Sequence, residues 1–303
     1  MRKIRVSARN FRSELKEKNK FVSATYFILR IFVILSLVLS IINGEYESAW
    51  VCVLTLVLFM LPVFVEKNFK IKLPSVLEIV ILLFIFAAEI LGELQSYYVH
   101  YQYWDTVLHT LAGFIAAAWG YGMIDMLNRK EKASTILSPI SVAIFSFCFS
   151  MTIGVLWEFF EFGMDNLFHM DMQKDTVIHQ FASVSLDPTN NNIPIRVENI
   201  KDVIVNGESL GLGGYLDIGL YDTMEDLFVN FIGAVVFSII GFFNAKFKGK
   251  SVIARQFVPV ADDAADRIET PKALKSGKAG ELEPADDEVK VSDPDDHKPE
   301  DNA

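Results

Sequence analysis

Six long apolar blocks separated by polar stretches run along the chain, at residues 24–43, 49–65, 76–94, 105–124, 139–162 and 225–243. Each is close to the ~20 residues that a helix needs to cross a hydrocarbon layer of about 30 Å. The pattern predicts an all-α polytopic membrane protein, a bundle of six transmembrane helices. The connection between the fifth and sixth blocks, residues 163–221, is too long for a mere link and reads as a functional or separately folded loop. Within it, "IPIRVENIKDVIVNGESL" places β-branched residues on both sides of Asn206-Gly207, which predicts a small β-hairpin. The following "GLGGYLDIG" is rich in glycine but does not join a strand to a helix, so a phosphate-binding loop is a weak reading of it.

Composition agrees with the block pattern: 51% of the 303 residues are hydrophobic and the mean hydropathy is +0.31, unlike a soluble enzyme. Basic residues set the expected orientation, because short loops rich in Lys and Arg stay in the cytoplasm. They fill the N-terminal arm, and they recur after the second block (Lys67, Lys70, Lys72), after the fourth (Arg129, Lys130, Lys132) and after the sixth (Lys246, Lys248, Lys250, Arg255). The alternate loops "GEYES" and "GELQSYYVHYQYW" have none. Both termini are therefore expected in the cytoplasm, and residues 163–221 outside it. Arg30 fits as a snorkelling residue at the inner leaflet. The first block lacks a small-x-small cleavage site and leads straight into a second, so it reads as an uncleaved helix. Cys52 and Cys148 fall inside blocks and read as packing residues, with no disulfide expected.

The net charge of −10 is concentrated at one end. Residues 256–303 carry 14 Asp or Glu against 6 Lys or Arg, with Pro271, Pro284, Pro294 and Pro299 among them and no apolar period. The expected organisation is thus a basic cytoplasmic arm (1–23), a membrane domain (24–245) and an acidic disordered cytoplasmic tail (246–303). The tail reads as a solvating extension or as a docking segment for a cytoplasmic protein. It offers no nucleic-acid surface.

The informative exceptions are acids inside the apolar blocks. "TIGVLWEFFEFGMDNLF" places Glu158, Glu161 and Asp165 at helical spacing on one face. With the orientation above, Glu89 and Glu93, Asp105 and His109, Glu158 and Glu161, and Asp222, Asp226 and Asn230 all fall towards the outer ends of four helices. Ionisable groups in spans are costly and normally face the bundle interior, so these residues predict a carboxylate-lined pit with one imidazole. Asp105 and Asp222 stand at helix starts, where capping accounts for an acid equally well, and "DTME" fits a capping box. Glu158 and Glu161 approach a helix C-terminus, whose carbonyls repel anions; they require a cation or a proton. Lys174, Arg196 and Lys201, the nearest basic residues, belong to the long loop. His109, Glu158, Glu161, Asp222 and Asp226 are therefore candidate ligands for a divalent metal, Mg²⁺, Mn²⁺ or Ca²⁺, with Zn²⁺ also compatible. A buried His109 paired with Asp105, and protonated carboxyls, compete with that reading. Asp171, Asp175 and His179 in "MDMQKDTVIHQ" are further candidates, though residues of this type in a loop are usually only surface.

The stretches "WDTVLHTLAGF", "WEFFEF" and "YDTMEDLFVNFIGA" resemble three polar motifs of the YjdF-like family of bacterial inner-membrane proteins. Asp105 and His109 match the first, Glu158 and Glu161 the second, Asp222 and Asp226 the third. The order Asp-x3-His, a later glutamate, then Asp-x3-Asn before a glycine is more distantly similar to VanZ-like proteins, a family with a branch linked to glycopeptide resistance. The resemblance runs from the third block to the sixth and implies a bacterial inner-membrane location; the long loop is typical of neither family. It implies no reaction, since the first family has no established activity.

The functional expectation is a metal-dependent enzyme acting on a lipid or cell-envelope precursor at the outer leaflet. Asp105, His109, Glu158 and Glu161 are its candidate catalytic residues, and Asp105 is the candidate general base. No hydrolase signature such as HExxH occurs. A cation- or proton-coupled transporter and a non-catalytic scaffold with a structural ion site are the alternatives.

Overall fold

The computed structural model describes residues 20–128, 137–247 and 251–261. The arm up to residue 19, the basic residues Arg129, Lys130, Lys132, Lys248 and Lys250, and the acidic extension from residue 262 lie outside the described residues. Six helical spans are long and apolar enough to cross a membrane. The first is α1 (Lys20–Asn43). The second is broken into α2 (Tyr46–Leu58) and α3 (Leu61–Phe69), because Pro62 has no N–H for a continuous ladder and is tolerated only in a first turn. The third begins as α4 (Ser75–Phe86) and continues as a π-helix over Ala87–Leu94. A single turn, α5 (Tyr97–His100), precedes the fourth span, α6 (Trp104–Asn128). The fifth is α7 (Pro139–Phe168), whose N-cap Ser138 accepts the Ser141 N–H, and the sixth is α8 (Leu220–Lys246). The last two reach beyond their apolar blocks, since their polar ends stay helical.

Between helices in lipid no hydrophobic effect drives association, so close packing of small residues and interhelical hydrogen bonds must do it. The sequence supplies both in α6, α7 and α8, which pack pairwise against one another. Ser146 Oγ donates to the Ala117 carbonyl at 2.6 Å, and Ser150 Oγ to that of Gly113 at 2.7 Å. Gly233 lies against the α6 backbone so closely that a Cβ there would sit 2.0 Å from the Thr110 carbonyl oxygen. Asn230, one turn away, is clasped by two glycines: Gly113 faces its carbonyl and side-chain oxygens, Gly154 its side-chain nitrogen. Below, Ala117, Tyr121, Ala234 and Phe237 are completely buried, and Phe114 meets Phe237 edge-on at 5.0 Å. A second cluster joins α1, α2 and α4 through Tyr26, Val33, Cys52, Phe59 and Leu82. Cys52 packs as expected, whereas Cys148 is exposed on the outer face of α7; no disulfide joins them. Arg30 lies over the Tyr26 ring, 5.2 Å from its centre.

One end of the bundle is closed by a segment that the sequence reading assigned to the disordered tail. Residues 251–261 instead form α9 (Val252–Phe257) and strand β8 (Val260–Ala261), which pairs antiparallel with β1 (Ile71–Lys72) after the second span. The cause is apolar content: Ala254 and Val258 are buried, Phe257 meets Phe114 edge-on, and Pro259 fills the space beside Gly122. The pairing sets the loop after the second span and the segment after the sixth at the same end, consistent with their shared excess of Lys and Arg.

The long loop lies at the opposite end of α7 and α8 and holds three two-stranded antiparallel ladders, where a single hairpin was expected. That hairpin joins β5 (Ile204–Val205) to β6 (Glu208–Ser209), with Asn206 and Gly207 both at positive φ as a two-residue turn requires. The others pair β3 (Phe181–Ser183) with β4 (Ile195–Val197), and β2 (Val177–Ile178) with β7 (Tyr215–Leu216) at the neck of the loop. Their strands are too short and irregular for a period-two signal. Asp187 organises the turn between β3 and β4: its carboxylate accepts the Thr189 hydroxyl and the N–H groups of Thr189, Asn191 and Ile193. These bonds, the Thr189 hydroxyl foremost, hold it down at a pKa of about 2.

The Gly233 contact carries a direct test. Gly233→Ala forces α6 and α8 apart and destabilises the helical domain by about 1–3 kcal/mol in a denaturant titration in detergent micelles, whereas Gly163→Ala, which meets nothing within 4 Å, changes stability little. Equal stability of the two variants would contradict this packing.

Candidate functional site

The end of the bundle that bears the long loop gathers the acids of α6, α7 and α8. Asp105 and His109 are one turn apart on α6, and the His109 Nε2 lies 3.4 Å from Asp105 Oδ1. The same nitrogen lies 3.6 Å from Oδ2 of Asp226 on α8. Both distances exceed a good N–H···O hydrogen bond. Glu158 and Glu161, one turn apart on α7, face Asp226 from the other side. The ligand-type atoms of Asp105, His109 and Asp226 all lie within 4.8 Å of one another, as do those of Glu158, Glu161 and Asp226. Asp226 belongs to both groups.

Glu158, Glu161 and Asp226 are only 5%, 6% and 3% exposed. Glu161 Oε2 and Asp226 Oδ2 have no hydrogen-bond partner, although buried polar atoms nearly always have one. At an effective dielectric of about 20, unit charges closer than 4.8 Å repel by roughly 3.5 kcal/mol or more per pair. Three ionised carboxylates in one group would thus cost on the order of 10 kcal/mol, comparable with the whole stability of a domain. Among the described residues no Lys or Arg forms an ion pair with Glu158, Glu161 or Asp226, although the charge of Lys174 reaches Asp105. The cluster therefore holds protons or a cation.

A segment of the loop is strapped across the site by acids outside both groups. Asp165 accepts the N–H groups of Met172 and Gln173 at 2.6 and 2.9 Å. Asp222 accepts the Lys174 N–H at 2.8 Å, and Asp217 that of Thr176 at 2.7 Å. The Gln173 side chain is buried, donating to Thr223 Oγ at 2.5 Å and at the 3.5 Å limit to Glu158. Lys174 binds the carbonyl and carboxylate of Asp171, and its charge also reaches Asp105 and Asp222.

The predicted residues thus separate. Asp105, His109, Glu158, Glu161 and Asp226 come together, while Asp222 holds the strap and is in neither group. Asp222 is not the N-cap, because α8 begins two residues earlier, after Gly219 in the left-handed conformation, and no side chain caps it; Asp222 lies within its first turn. Asp165 shares the face of Glu158 and Glu161 but bonds to the loop. Asp175 and His179 are exposed, and the His179 Nδ1 is 3.2 Å from the Ile200 carbonyl within the loop. Asn230 lies one turn beneath Asp226 in the glycine clasp. Glu89 and Glu93 are on the π-helix, whose Ala87 carbonyl accepts the Trp104 indole N–H at 3.3 Å. Such π-helical segments often occur at functional sites.

Two contributors escaped the sequence reading. Gln173 carries no charge and no helical spacing. Tyr98 is packed on Gly92, where a Cβ would come within 2.3 Å of the ring. Burial pushes its phenol far above the usual tyrosine range, and the charges of Asp105, Glu93, Glu89 and Glu161 add to the shift. The one available signal was Gly92 among larger residues, five positions before an aromatic run.

The family described as "Predicted membrane protein (DUF2238)" matches residues 25–246, most of the chain and all three polar motifs. An uncharacterized protein of Thermotoga maritima is 24% identical over 108 residues, which cover 35% of this chain and 53% of the relative. The match therefore spans about half the length of that relative. No solved structure matches the chain.

The strap can be released separately from the bundle. Asp165→Ala removes two charge-assisted acceptors, each worth roughly 1.5–3 kcal/mol. Amide hydrogen exchange of residues 172–176 is expected to rise steeply while that of α6 and α8 is unchanged; unaltered exchange in the segment would show that Asp165 does not hold it.

Proposed function

The chain belongs to the DUF2238 family of predicted membrane proteins, and from that premise we propose that it binds a divalent cation among these carboxylates. The bound cation serves chemistry on a lipid or cell-envelope precursor at the outer face of a bacterial inner membrane. The observation that carries the cation is the pair of buried, unpartnered oxygens, Glu161 Oε2 and Asp226 Oδ2, in a cluster of four carboxylates and one imidazole. Oxygen donors with one imidazole suit Mg²⁺, Mn²⁺ or Ca²⁺ and accept Zn²⁺. The outer-face assignment draws on the distribution of Lys and Arg, with both termini cytoplasmic. The likeness of the three motifs to YjdF-like and VanZ-like proteins supports a shared site but supplies no reaction.

When bound, such a cation polarises a carbonyl or phosphoryl oxygen and acidifies a water molecule. The chain's own residues divide the remaining work. His109, Glu158, Glu161 and Asp226 are the ligands. The Asp105 side chain, 28% exposed, is the acid of the cluster most open to solvent and serves as the general base. Asp222 was expected as a ligand and here secures the strap that restricts water access.

A carrier reading draws on Asn230, Ser238 and Asn244, which continue as buried polar residues along α8. Against it, the Gly233 contact with the Thr110 backbone and the buried Ala234 and Phe237 close the bundle beneath the site. A scaffold with a structural ion site shares the same cation, and its external loop or cytoplasmic tail would recruit a protein partner.

Elemental analysis after purification without chelators tests the cation. Wild-type protein retains a divalent metal in near-stoichiometric amount, and the Glu158→Ala, Glu161→Ala double variant loses at least tenfold in affinity (about 1.4 kcal/mol). Equal, near-zero metal in both would sink the reading.

A further inference from the structure

We propose that the site is binuclear, with Asp226 bridging a metal held by Asp105 and His109 on α6 and a second held by Glu158 and Glu161 on α7. The inference rests on the cation reading above and makes it more specific, with one change: Asp105 becomes a ligand of the α6 metal and is no longer the free general base. Two complete three-residue groups adjoin, and Asp226 is their common member. A carboxylate has two oxygens and can bind a different ion with each. Asp226 Oδ2 faces His109 at 3.6 Å but has no hydrogen-bond partner, and on the other side Glu161 Oε2 is equally unpartnered. Both side chains are more than nine-tenths buried.

Charge selects two ions over one. The two groups contain four carboxylates and one imidazole. Two divalent cations neutralise four carboxylates, whereas one leaves two negative charges beside the buried Glu158, Glu161 and Asp226, with Lys174 reaching only the Asp105 side of the cluster. Ions bridged in this way lie about 3.5–4 Å apart, the spacing of two-metal sites that clamp both oxygens of a displacement reaction. The half-sites also differ in chemistry. The α6 group includes a nitrogen and suits a borderline ion such as Mn²⁺ or Zn²⁺; the α7 group is all oxygen and suits a harder one.

The backbone explains how one residue serves both sides. Asn230, one turn from Asp226, is clasped between Gly113 of α6 and Gly154 of α7. That clasp fixes α8 between the two helices, so Asp226 faces a ligand pair on each.

The test is Mn²⁺ titration of chelator-stripped, full-length protein in detergent, read by stoichiometry and electron paramagnetic resonance. Wild type binds two Mn²⁺ per chain with an exchange-coupled spectrum. His109→Ala retains one, with the hyperfine pattern of an isolated ion, and Glu158→Ala with Glu161→Ala also retains one. Asp226→Asn abolishes the coupling and weakens both sites at least tenfold. Size-exclusion profile and helical circular dichroism exclude variants that fail to fold, and the wild-type titration is decisive without them. A single uncoupled Mn²⁺ in wild type overturns the pair while leaving the cation reading intact; no bound Mn²⁺ overturns both.

Discussion

The carboxylate of Asp226 is wedged between two helices that each present a pair of ligand-type side chains to it, and among the described residues no Lys or Arg forms an ion pair with it. The surrounding structure either creates that position or compensates for it. Small residues allow α6, α7 and α8 to approach closely enough for the two groups to share a residue. The glycine clasp on Asn230 fixes the rotation of α8, and the backbone contact at Gly233 separates the charged end from the apolar layer formed by Ala234 and Phe237. A modest spread of the helices would separate the groups and admit water, which removes the electrostatic conflict together with the site.

The loop above the site has the same dependence. Asp165, Asp217 and Asp222 belong to the same end of the bundle, yet they accept backbone N–H groups of residues 172–176, Asp217 that of Tyr221 as well. An acid-rich membrane face thus divides into two populations: acids with backbone donors, which build the strap, and acids without them, which remain for a ligand. Gln173, carried on the strap, joins the populations: its backbone N–H donates to Asp165 and its side chain to Glu158.

Much of this was legible in the chain because membrane helices leave strong signals. Block length placed six spans, and Asn206-Gly207 placed a hairpin turn. Helical spacing brought Asp105, His109, Glu158, Glu161 and Asp226 to one end of the bundle. What could not be read was which acid meets which donor. Asp222 and Asp226 share a helical face and differ only in that the Lys174 N–H reaches the first, a contact across 48 positions that no local pattern encodes. The same limit applies to Asp165. The end of the folded domain was missed because the acidic composition of residues 256–303 obscured the scattered apolar residues Ala254, Phe257, Val258 and Pro259, and Tyr98 was missed because its role depends on the shape of the π-helix beneath it.

On this reading a cation, rather than shared protons, relieves the repulsion around Asp226. Infrared difference spectroscopy tests it most directly by recording the carbonyl stretch of protonated carboxylic acids in chelator-stripped protein before and after Mn²⁺ addition. The account predicts a band in the stripped protein that disappears on Mn²⁺ addition and is absent from Asp226→Asn. A protonated-carboxyl band that persists unchanged at saturating Mn²⁺ would contradict it.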